Sequence, residues 1–463
     1  MNTRLPSPSW RHRNLVDFAT ADNIISRAFL AQPLYIISVN FERPDAAQSR
    51  IYTFGIGFRM APLSVIIVGA GPSGLLLARL LAQSGLQNIK LLERNPVPTR
   101  DYRAVFYQPI AIHEFKRAGV WEEVQDVAHP LRSVCWRDAA DGGKRLFGMP
   151  SQDTLLMSVD ILTGIVRRHV EQDEKSKILF NHRVTDIGQD ENVAWVQVDT
   201  PTGPKRMEAS YVVACDGAQS TVRRSIFGAG VMEGFTWDKQ LIAANIRGDL
   251  SARFSDIEES NIFLHRSDAW LLFRLPQEPD TWRIIYQDSE NTNEQLIANA
   301  PSKIKQLLAS GSEAPPFELL AVNPYRIHQR LAPDMVKGRV ILAADAAHLC
   351  CPYGALGLNG GIADVGSLSD CLVAIQNGDA DTSILDLYSQ VRRDKWKSHI
   401  DPVSQRTMKM VFSDPTDIIP DHPLYKMCKM LESEPDASMM KGRPGPDPLV
   451  LRYDFSHHFK NAR

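Results

Sequence analysis

The sequence is poor in cysteine and has no cysteines at a metal-binding or redox spacing. Only six cysteines occur among 463 residues, and no two of them are separated by two residues. Six scattered cysteines in a chain of this length lack the density of a disulfide framework, and the absence of a Cys-x-x-Cys pair argues against a structural zinc site, so the sequence predicts neither, and it predicts a reducing compartment. The adjacent pair Cys350–Cys351 is poorly placed to form a bridge. The six cysteines are Cys135, Cys215, Cys350, Cys351, Cys371 and Cys428.

The chain also lacks an excess of charge of either sign. It carries 52 Lys and Arg against 54 Asp and Glu, a formal net charge of −2. Proteins that bind nucleic acids neutralise phosphates with a basic surplus, so no nucleic-acid partner is predicted. A hydrophobic fraction of 44% with 23% charged residues is typical of a globular protein and excludes wholesale disorder. The length fits about three domains or a large two-part enzyme.

Long apolar runs are missing as well. The most apolar stretch, from Ile24 to Val39, is interrupted by Arg27, Gln32 and Pro33. A membrane-spanning helix needs about 20 predominantly apolar residues, so no membrane partner is predicted.

Residues 1–59 differ in composition from the rest of the chain. They contain seven Arg, no Lys and four acidic residues. An arginine-rich, lysine-free segment resembles a mitochondrial presequence, but the acidic residues argue against one. We predict a poorly ordered extension, or a segment ahead of a start at Met60. The predicted location is therefore cytoplasmic, with the mitochondrion as the alternative.

From about residue 63 to 410, buried strand patterns alternate with helical patterns, which is typical of an α/β fold. Residues 239–290 interrupt this order with runs rich in β-branched and aromatic residues, separated by polar turns, and they predict an antiparallel sheet. We therefore predict an α/β domain made of residues 60–238 and 291–411, with 239–290 as the core of an inserted domain. Residues 412–463 contain seven prolines and are predicted to be a loop-rich tail.

A dinucleotide-binding fingerprint opens the α/β domain. A strand, Leu63–Val68, leads into a glycine-rich loop and a helix over 75–84, and a second strand ends at Glu93, nineteen residues past Gly74. The glycines allow a tight turn and a close approach of the backbone to a pyrophosphate, and the helix N-terminus attracts phosphate. An acid at this spacing accepts from ribose hydroxyls. The loop consists of Gly69, Ala70, Gly71, Pro72, Ser73 and Gly74.

Two further strands end in a carboxylate. Asp216 and Gly217 follow the buried strand Tyr211–Ala214, and the local alternative for Asp216 is a helix cap. Asp345 follows the strand that begins near Gly338. A second glycine-rich segment, residues 354–361, then opens a helix whose N-terminus suits an anionic partner.

These three segments together resemble the signatures of class A flavoprotein monooxygenases, the family of 4-hydroxybenzoate, salicylate and phenol hydroxylases. The resemblance extends over roughly residues 63–410. It implies a glutathione-reductase-like FAD domain carrying an inserted antiparallel β-sheet substrate domain. It also implies tight, non-covalent FAD, NADPH or NADH as a transient reductant, and O2 activation as a C4a-hydroperoxyflavin.

The resemblance also assigns roles to single residues. Glu93 would hold the adenosine ribose, Arg103 the cofactor's phosphate or ribityl region, and Asp345 the ribityl and pyrophosphate side. Asp216 and Gly217 would help to hold the pyrophosphate and are implicated in NADPH use. The pyrimidine edge of the flavin would meet the start of the second glycine-rich helix. The remaining cofactor-binding residues implied by the motifs are Arg94, Ala104, Gly357, Leu358 and Asn359.

The sequence departs from the family pattern at two places. The usual Gly-Asp is Ala344-Asp345 here, and the helix near 159–162 lacks the Gln or Arg that the family often directs at FAD. Asp345 and His348 are spaced like a metal-binding pair, but no third ligand accompanies them, so no metal is predicted.

The inserted sheet is expected to form the substrate wall. Alternate residues of the run 269–274 would face the flavin, with Arg274 placed for a substrate carboxylate and Tyr286 for a phenol proton. A solvated strand end and a core tyrosine are the alternatives.

The sequence thus predicts FAD-dependent hydroxylation of a small aromatic or phenolic molecule by a monomer or homodimer, and secondary metabolites are among the expected substrates. The alternatives are an epoxidase or reductase of the same fold acting on an alkene or polyprenyl chain, and a flavin-binding protein without turnover.

Overall fold

The computed structural model describes residues 62–97, 105–151, 153–289, 292–309, 313–419, 421–433, 447 and 449–460. The expectations for residues 1–59, Arg103 and Ala104 lie outside this part of the chain.

The strands, in chain order, are β1 Val65–Val68, β2 Ile89–Leu92, β3 Phe106–Tyr107, β4 His129–Pro130, β5 Ser133–Asp138, β6 Lys144–Pro150, β7 Leu155–Leu156, β8 Ser176–Leu179, β9 Arg183–Gln189, β10 Ala194–Thr200, β11 Gly203–Ala209, β12 Tyr211–Ala214, β13 Glu233–Arg247, β14 Ser260–Leu264, β15 Trp270–Arg274, β16 Thr281–Asp288, β17 Glu318–Leu331, β18 Val336–Lys337, β19 Val340–Leu342 and β20 His348–Leu349.

The helices are α1 Pro72–Gln83, α2 Pro109–Arg117, α3 Trp121–Val127, α4 Val159–Gln172, α5 Thr221–Phe227, α6 Asn293–Ala309, α7 Leu356–Asn377, α8 Ile384–Lys395, α9 Asp401–Val411, α10 Pro415–Ile418 and α11 Pro423–Ser433. A π-helical turn, Trp396–Ile400, joins α8 to α9.

The first layer is a six-stranded sheet in the order β18-β19-β12-β1-β2-β8, parallel except for the β18–β19 pair. Its central strands are buried along their whole length, as expected for strands that are covered on both faces. The carboxyl ends of β1, β2, β12 and β19 lie at one edge of this sheet. The motif residues predicted from sequence follow those four strand ends.

The second layer is an eight-stranded sheet in the order β20-β17-β13-β16-β15-β14-β5-β6. The predicted antiparallel insert is present as β13 to β16, which supply four of these strands. The other four come from residues 133–150 and 318–349, outside the predicted range of 239–290. They join the insert through pairings that are distant in sequence, β5 with β14 and β17 with β13, so local patterns did not show that they belong to the same sheet.

Two faces of the eight-stranded sheet bury different side chains. One face packs against α6 and contains Trp270, Leu272 and Tyr286. The other face, with Leu271 and Phe273, packs in a cluster that also holds residues of α9 and α11.

The described part of residues 412–463 contains the helices α10 and α11 and several buried side chains rather than loops alone. Cys428 of α11 is fully buried beside β6 and β5 residues, and Leu451 and Phe455 are also buried. The expectation of a loop-rich tail was therefore wrong for these residues. The expectation was based on the prolines of this region and overlooked the apolar helix face between them.

Helix α7 is buried along most of its length. Its length and composition are those of a membrane span, but 83% of its most apolar stretch is buried inside the protein, as in a core helix.

The turn that leads from β19 towards α7 contains an alanine in a left-handed conformation. Ala344 has a φ of 55°. Its methyl group faces Gly361 of α7, where an added Cβ would lie 2.6 Å from the Cβ of Ala344. Where the family has Gly-Asp, this chain has Ala344-Asp345, and the alanine is therefore both strained and packed against Gly361.

We expect Ala344→Gly to raise the free energy of unfolding by roughly 0.5–1 kcal/mol. Glycine removes the strain of an alanine held in the left-handed conformation. This gain in free energy exceeds the cost of the extra conformational entropy that glycine gives to the unfolded chain. Denaturant unfolding of the FAD-loaded protein measures the change. Ala346→Gly is the matched control, since Ala346 lies outside the left-handed region and should lose stability. A loss of stability in both variants would contradict the prediction.

A buried carboxylate connects α2 to α7. Glu114 is 3% exposed and accepts a 2.8 Å hydrogen bond from Arg117, which also binds Asp370. Burial, with a smaller contribution from the charge of Asp370, raises the pKa of Glu114 to about 7, although Arg117 opposes the shift. Folding therefore favours the protonated form, and the stability from this group is lost as the pH rises through 7.

When the pH is raised from 5 to 8, we expect the free energy of unfolding to fall less in Glu114→Gln than in the unmodified chain. The difference should approach roughly 3 kcal/mol, because the glutamine stays neutral while Glu114 must ionise in the core. Thermal unfolding of both proteins across this pH range gives the comparison. Glu122→Gln, at an exposed position of α3, should follow the unmodified chain. Parallel pH profiles for all three would refute the assignment.

Candidate active site

A cleft of about 1580 Å³ contains the carboxyl-terminal edge of the parallel sheet and one face of the eight-stranded sheet. Ligand pockets for small molecules are usually about 300–1000 Å³, so this cleft has room for a dinucleotide and a further small molecule. Among the predicted cofactor-binding residues, it is lined by Gly69, Ala70, Gly71, Pro72, Ser73, Glu93, Arg94, Asp216, Gly217, Asp345, Gly357 and Leu358.

The glycine-rich loop is shaped by close contacts that only glycine allows. Gly69 has a φ of 102°, and a Cβ there would lie 2.4 Å from the carbonyl oxygen of Cys215. A Cβ on Gly74 would lie 2.0 Å from the carbonyl oxygen of Gly69. Gly71 differs, because a Cβ there would meet no atom of the described residues within 4 Å. The space beside Gly71 opens into the cleft, so the backbone is accessible to a ligand.

The first turn of α1 is suited to phosphate. Its N-cap, Gly71, offers no side chain to cap the helix, and the first turn contains no acidic residue. Free N–H groups and the positive end of the helix dipole are therefore available to an anion.

Glu93 links the glycine-rich loop to the end of β2. One carboxylate oxygen accepts from the backbone N–H of Ala70 at 3.0 Å, and the other accepts from the backbone and side-chain nitrogens of Asn95 at 2.9 and 2.8 Å. An ionised carboxylate has about four acceptor positions, so capacity for a ribose hydroxyl remains. Sequence reasoning assigned Glu93 to the ligand only, and the structure adds a role in holding the loop.

Asp216 combines the two interpretations given from sequence. Its Oδ2 atom accepts from the backbone N–H groups of Thr221 and Val222, at 2.8 and 3.3 Å, and so caps α5. Its Oδ1 atom is buried and accepts no hydrogen bond from the described residues. Burial raises the pKa of Asp216. The residue lines the cleft, where its second oxygen suits a donor from a bound molecule.

Asn359 is placed differently from its neighbours. It is fully buried, and its side-chain Oδ1 accepts from the backbone N–H of Gln108 at 2.9 Å. Its Nδ2 donates to the carbonyl oxygens of Phe106 and Ala355, at 3.0 and 2.7 Å. The side chain therefore connects β3 to the start of α7. Within residues 354–361, the cleft is lined by Gly354, Ala355, Gly357 and Leu358.

A buried ion cluster lies beneath the loop that carries Asp345. Asp364 of α7 is inaccessible to solvent and accepts hydrogen bonds from the backbone N–H of Ala344, from Nε2 of His348 and from Nε of Arg392, at 2.9, 2.7 and 2.7 Å. Burial acts to raise the pKa of Asp364, but the charges of His348 and Arg392 outweigh it and lower the pKa. His348, considered above as half of a metal pair with Asp345, is thus bonded to Asp364.

The two residues predicted for the substrate wall lie on the wrong face of the sheet. Leu271 and Phe273 of β15 and Ile285 of β16 line the cleft. Arg274 is exposed, and Tyr286 is buried in the cluster against α6. The expected alternation along the strand is present, but the cleft faces the opposite set of residues. The assignments of Arg274 and Tyr286 are therefore corrected.

Sequence reasoning missed several residues that line the cleft. They come from strands or loops that the local pattern did not assign to the site. They include Phe106, Gln108, Trp136, Met149, Tyr325, Ile327 and Tyr353.

The comparison with known proteins agrees with this geometry. The family described as "FAD binding domain" matches residues 62–402. The para-nitrophenol 4-monooxygenase of Pseudomonas sp. (strain WBC-3) is 31% identical over 371 residues, which cover 78% of this chain and 91% of that protein. The 6-hydroxy-3-succinoylpyridine 3-monooxygenase HspB of Pseudomonas putida (strain DSM 28022 / S16) is 28% identical, over 75% and 88% of the two chains.

Solved structures give the same result. The crystal structure of p-nitrophenol 4-monooxygenase PnpA from Pseudomonas putida DLL-E4 superposes with a TM-score of 0.72 at 28% identity, covering 84% of this chain and 95% of that one. Aklavinone-11 hydroxylase, solved with FAD and aklavinone, shares the fold with a TM-score of 0.64 at 22% identity, over 75% and 69% of the two chains. The chain therefore belongs to the FAD-binding family of class A flavoprotein monooxygenases, and it is a FAD-dependent monooxygenase.

Proposed function

We propose that this enzyme hydroxylates a small phenolic compound with NAD(P)H and O2 in the cleft described above. The observation that carries the proposal is the continuity of this cleft. One end has the uncapped helix N-terminus and strand-end carboxylates that suit FAD, and the other end is a wall of aromatic and aliphatic side chains. The phenol and hydroxypyridine named for the two Pseudomonas relatives support this substrate class.

The residues at the polar end fit FAD. Gly71 and the first turn of α1 would hold the pyrophosphate, because the backbone is open there and its N–H groups are free. Glu93 would accept from the adenosine ribose, and Asp345 from the ribityl chain. The start of α7, at Gly357 and Leu358, would face the flavin ring with its helix dipole, which favours negative charge on the bound ring.

FAD supplies the activation of O2 once NAD(P)H has reduced it. The chain itself must orient the substrate ring and exclude water from the reacting atoms. The apolar face of the eight-stranded sheet performs both tasks, because Leu271, Phe273 and Ile285 offer no group that retains water. We also propose a cytoplasmic location, supported by the free state of all six cysteines.

A second candidate is an epoxidase of the same fold, which the apolar wall would also suit. The experiment that separates the candidates measures NAD(P)H oxidation and product mass with a panel of phenols and a panel of alkenes. We expect phenols to stimulate oxidation and to yield products that contain one added oxygen atom. Stimulation by alkenes alone would support the epoxidase, and stimulation by neither panel would overturn both enzymatic proposals.

We expect Glu93→Ala and Asp345→Ala to be purified with less FAD than the unmodified chain. Each substitution removes an acceptor from a bound hydroxyl that is then left unpaired, at a cost of about 1–3 kcal/mol. The ratio of flavin absorbance to protein absorbance measures the loss. Arg274→Ala is the matched control, because this exposed residue lies on the sheet face away from the cleft and should keep its FAD. Full flavin content in both acidic-residue variants would refute the assigned roles.

A further inference from the structure

Two phenylalanines from different parts of the fold meet in the cleft. Phe106 of β3 and Phe273 of β15 form an edge-to-face pair, with ring centroids 4.7 Å apart and an interplanar angle of 88°. Both line the cleft. Phe273 is 6% exposed, whereas Phe106 is half-buried, so the pair presents aromatic surface to the cavity.

The position of this pair is fixed relative to the start of α7. Asn359 donates from Nδ2 to the carbonyl oxygen of Phe106 and accepts at Oδ1 from the N–H of Gln108. Asn359 lies one residue after Leu358, which would face the flavin. The amide thus sets the distance between the aromatic pair and the proposed flavin site, without itself contacting the ligand.

The surroundings of the pair are apolar. Leu271 and Ile285 flank Phe273 on the same sheet face, and Ile327 of β17 lines the cleft beside them.

The eight-stranded sheet adds two basic side chains to the lining of the cleft, Arg326 and His328 of β17. Nδ1 of His328 is hydrogen-bonded to Oγ1 of Thr236 at 2.9 Å, and burial lowers the pKa of His328, which favours the neutral imidazole. Arg326 is exposed, and its neighbours Tyr325 and Ile327 are the ones that pack in the apolar cluster.

We propose that Phe106 and Phe273 form the seat of the substrate ring and that this seat selects phenols without a carboxylate. The inference rests on the proposed function and narrows its substrate class. An aromatic contact of this kind strengthens binding beyond the effect of burial alone. A carboxylate placed against Leu271, Phe273 and Ile285 loses its hydration and gains no partner from them, so it should bind more weakly than a neutral group of the same shape.

The first part of the test compares matched ligands on the FAD-loaded enzyme. The probes are 4-hydroxyacetophenone with 4-hydroxybenzoate, and 3-hydroxyacetophenone with 3-hydroxybenzoate. Each pair has nearly the same shape but differs in charge. Dissociation constants come from the change in flavin absorbance on titration, which needs no turnover. We expect the neutral member to bind at least tenfold more tightly in one pair or both. If neither pair shows this preference, the selectivity for uncharged phenols is refuted.

The second part tests the two residues. Phe106→Leu and Phe273→Leu should each weaken binding of the preferred neutral phenol by about 3- to 10-fold while FAD content stays normal. Phe263→Leu is the matched control. Phe263 also belongs to an aromatic pair, stacked on Trp270 at 3.6 Å, but on the sheet face away from the cleft. An equal loss of phenol affinity in all three variants, or no loss in Phe106→Leu and Phe273→Leu, would refute the proposal that these two phenylalanines bind the substrate ring.

The two proposals fail in distinguishable ways. If the enzyme hydroxylates phenols but prefers those with a carboxylate, the seat is wrong and the proposed function stands. If neutral phenols bind with the expected preference but no oxygenated product forms, the proposed function is wrong and the seat is retained as a binding site.

Discussion

The architecture of the site depends on one buried carboxylate. Asp364 has lost all contact with water, and an unpaired charge in such a position would be strongly destabilising. It is held instead by three donors from three different segments, Ala344, His348 and Arg392. Because α7 carries Asp364 and also starts at the cleft, the ion cluster fixes the strand-end loop and the helix N-terminus in one arrangement.

The same cluster extends to the end of the chain. Arg392 uses its remaining guanidinium nitrogens for the carbonyl oxygens of Leu451 and Gly360, at 2.5 and 3.4 Å. Lys395 donates to the carbonyl oxygen of Val450. The carbonyl oxygens of Val450 and Leu451 therefore accept from a half-buried lysine and from a fully buried arginine, and these bonds hold this late segment against α8.

The sequence alone revealed the polar end of the site but not its apolar end. The loop Gly69–Gly74, Glu93, Asp216 and Asp345 each follow a buried strand, and parallel strands bring their carboxyl ends to one edge. Their placement is thus a local property of the chain.

The apolar wall depends on pairings such as β14 with β5, more than a hundred residues apart, and on which sheet face is covered by α6. Strand periodicity gives the alternation of Leu271, Leu272 and Phe273, but it does not tell which set faces the cleft, so Arg274 and Tyr286 were misplaced. The ion cluster was missed for a similar reason, because Asp364 and Arg392 lie on successive helices with no motif between them.

The contact between Ala344 and Gly361 links the changes that these two positions can undergo during evolution. A methyl group at position 344 leaves no room for one at 361, where the two Cβ atoms would lie 2.6 Å apart. A glycine at 344 would remove the contact between the two Cβ atoms, although a Cβ at 361 would still lie 3.2 Å from Oγ of Ser73 and 3.3 Å from Cα of residue 344. A side chain at 361 is therefore accommodated more readily beside glycine than beside alanine at 344, and we expect these two positions, seventeen apart in the chain, to change together.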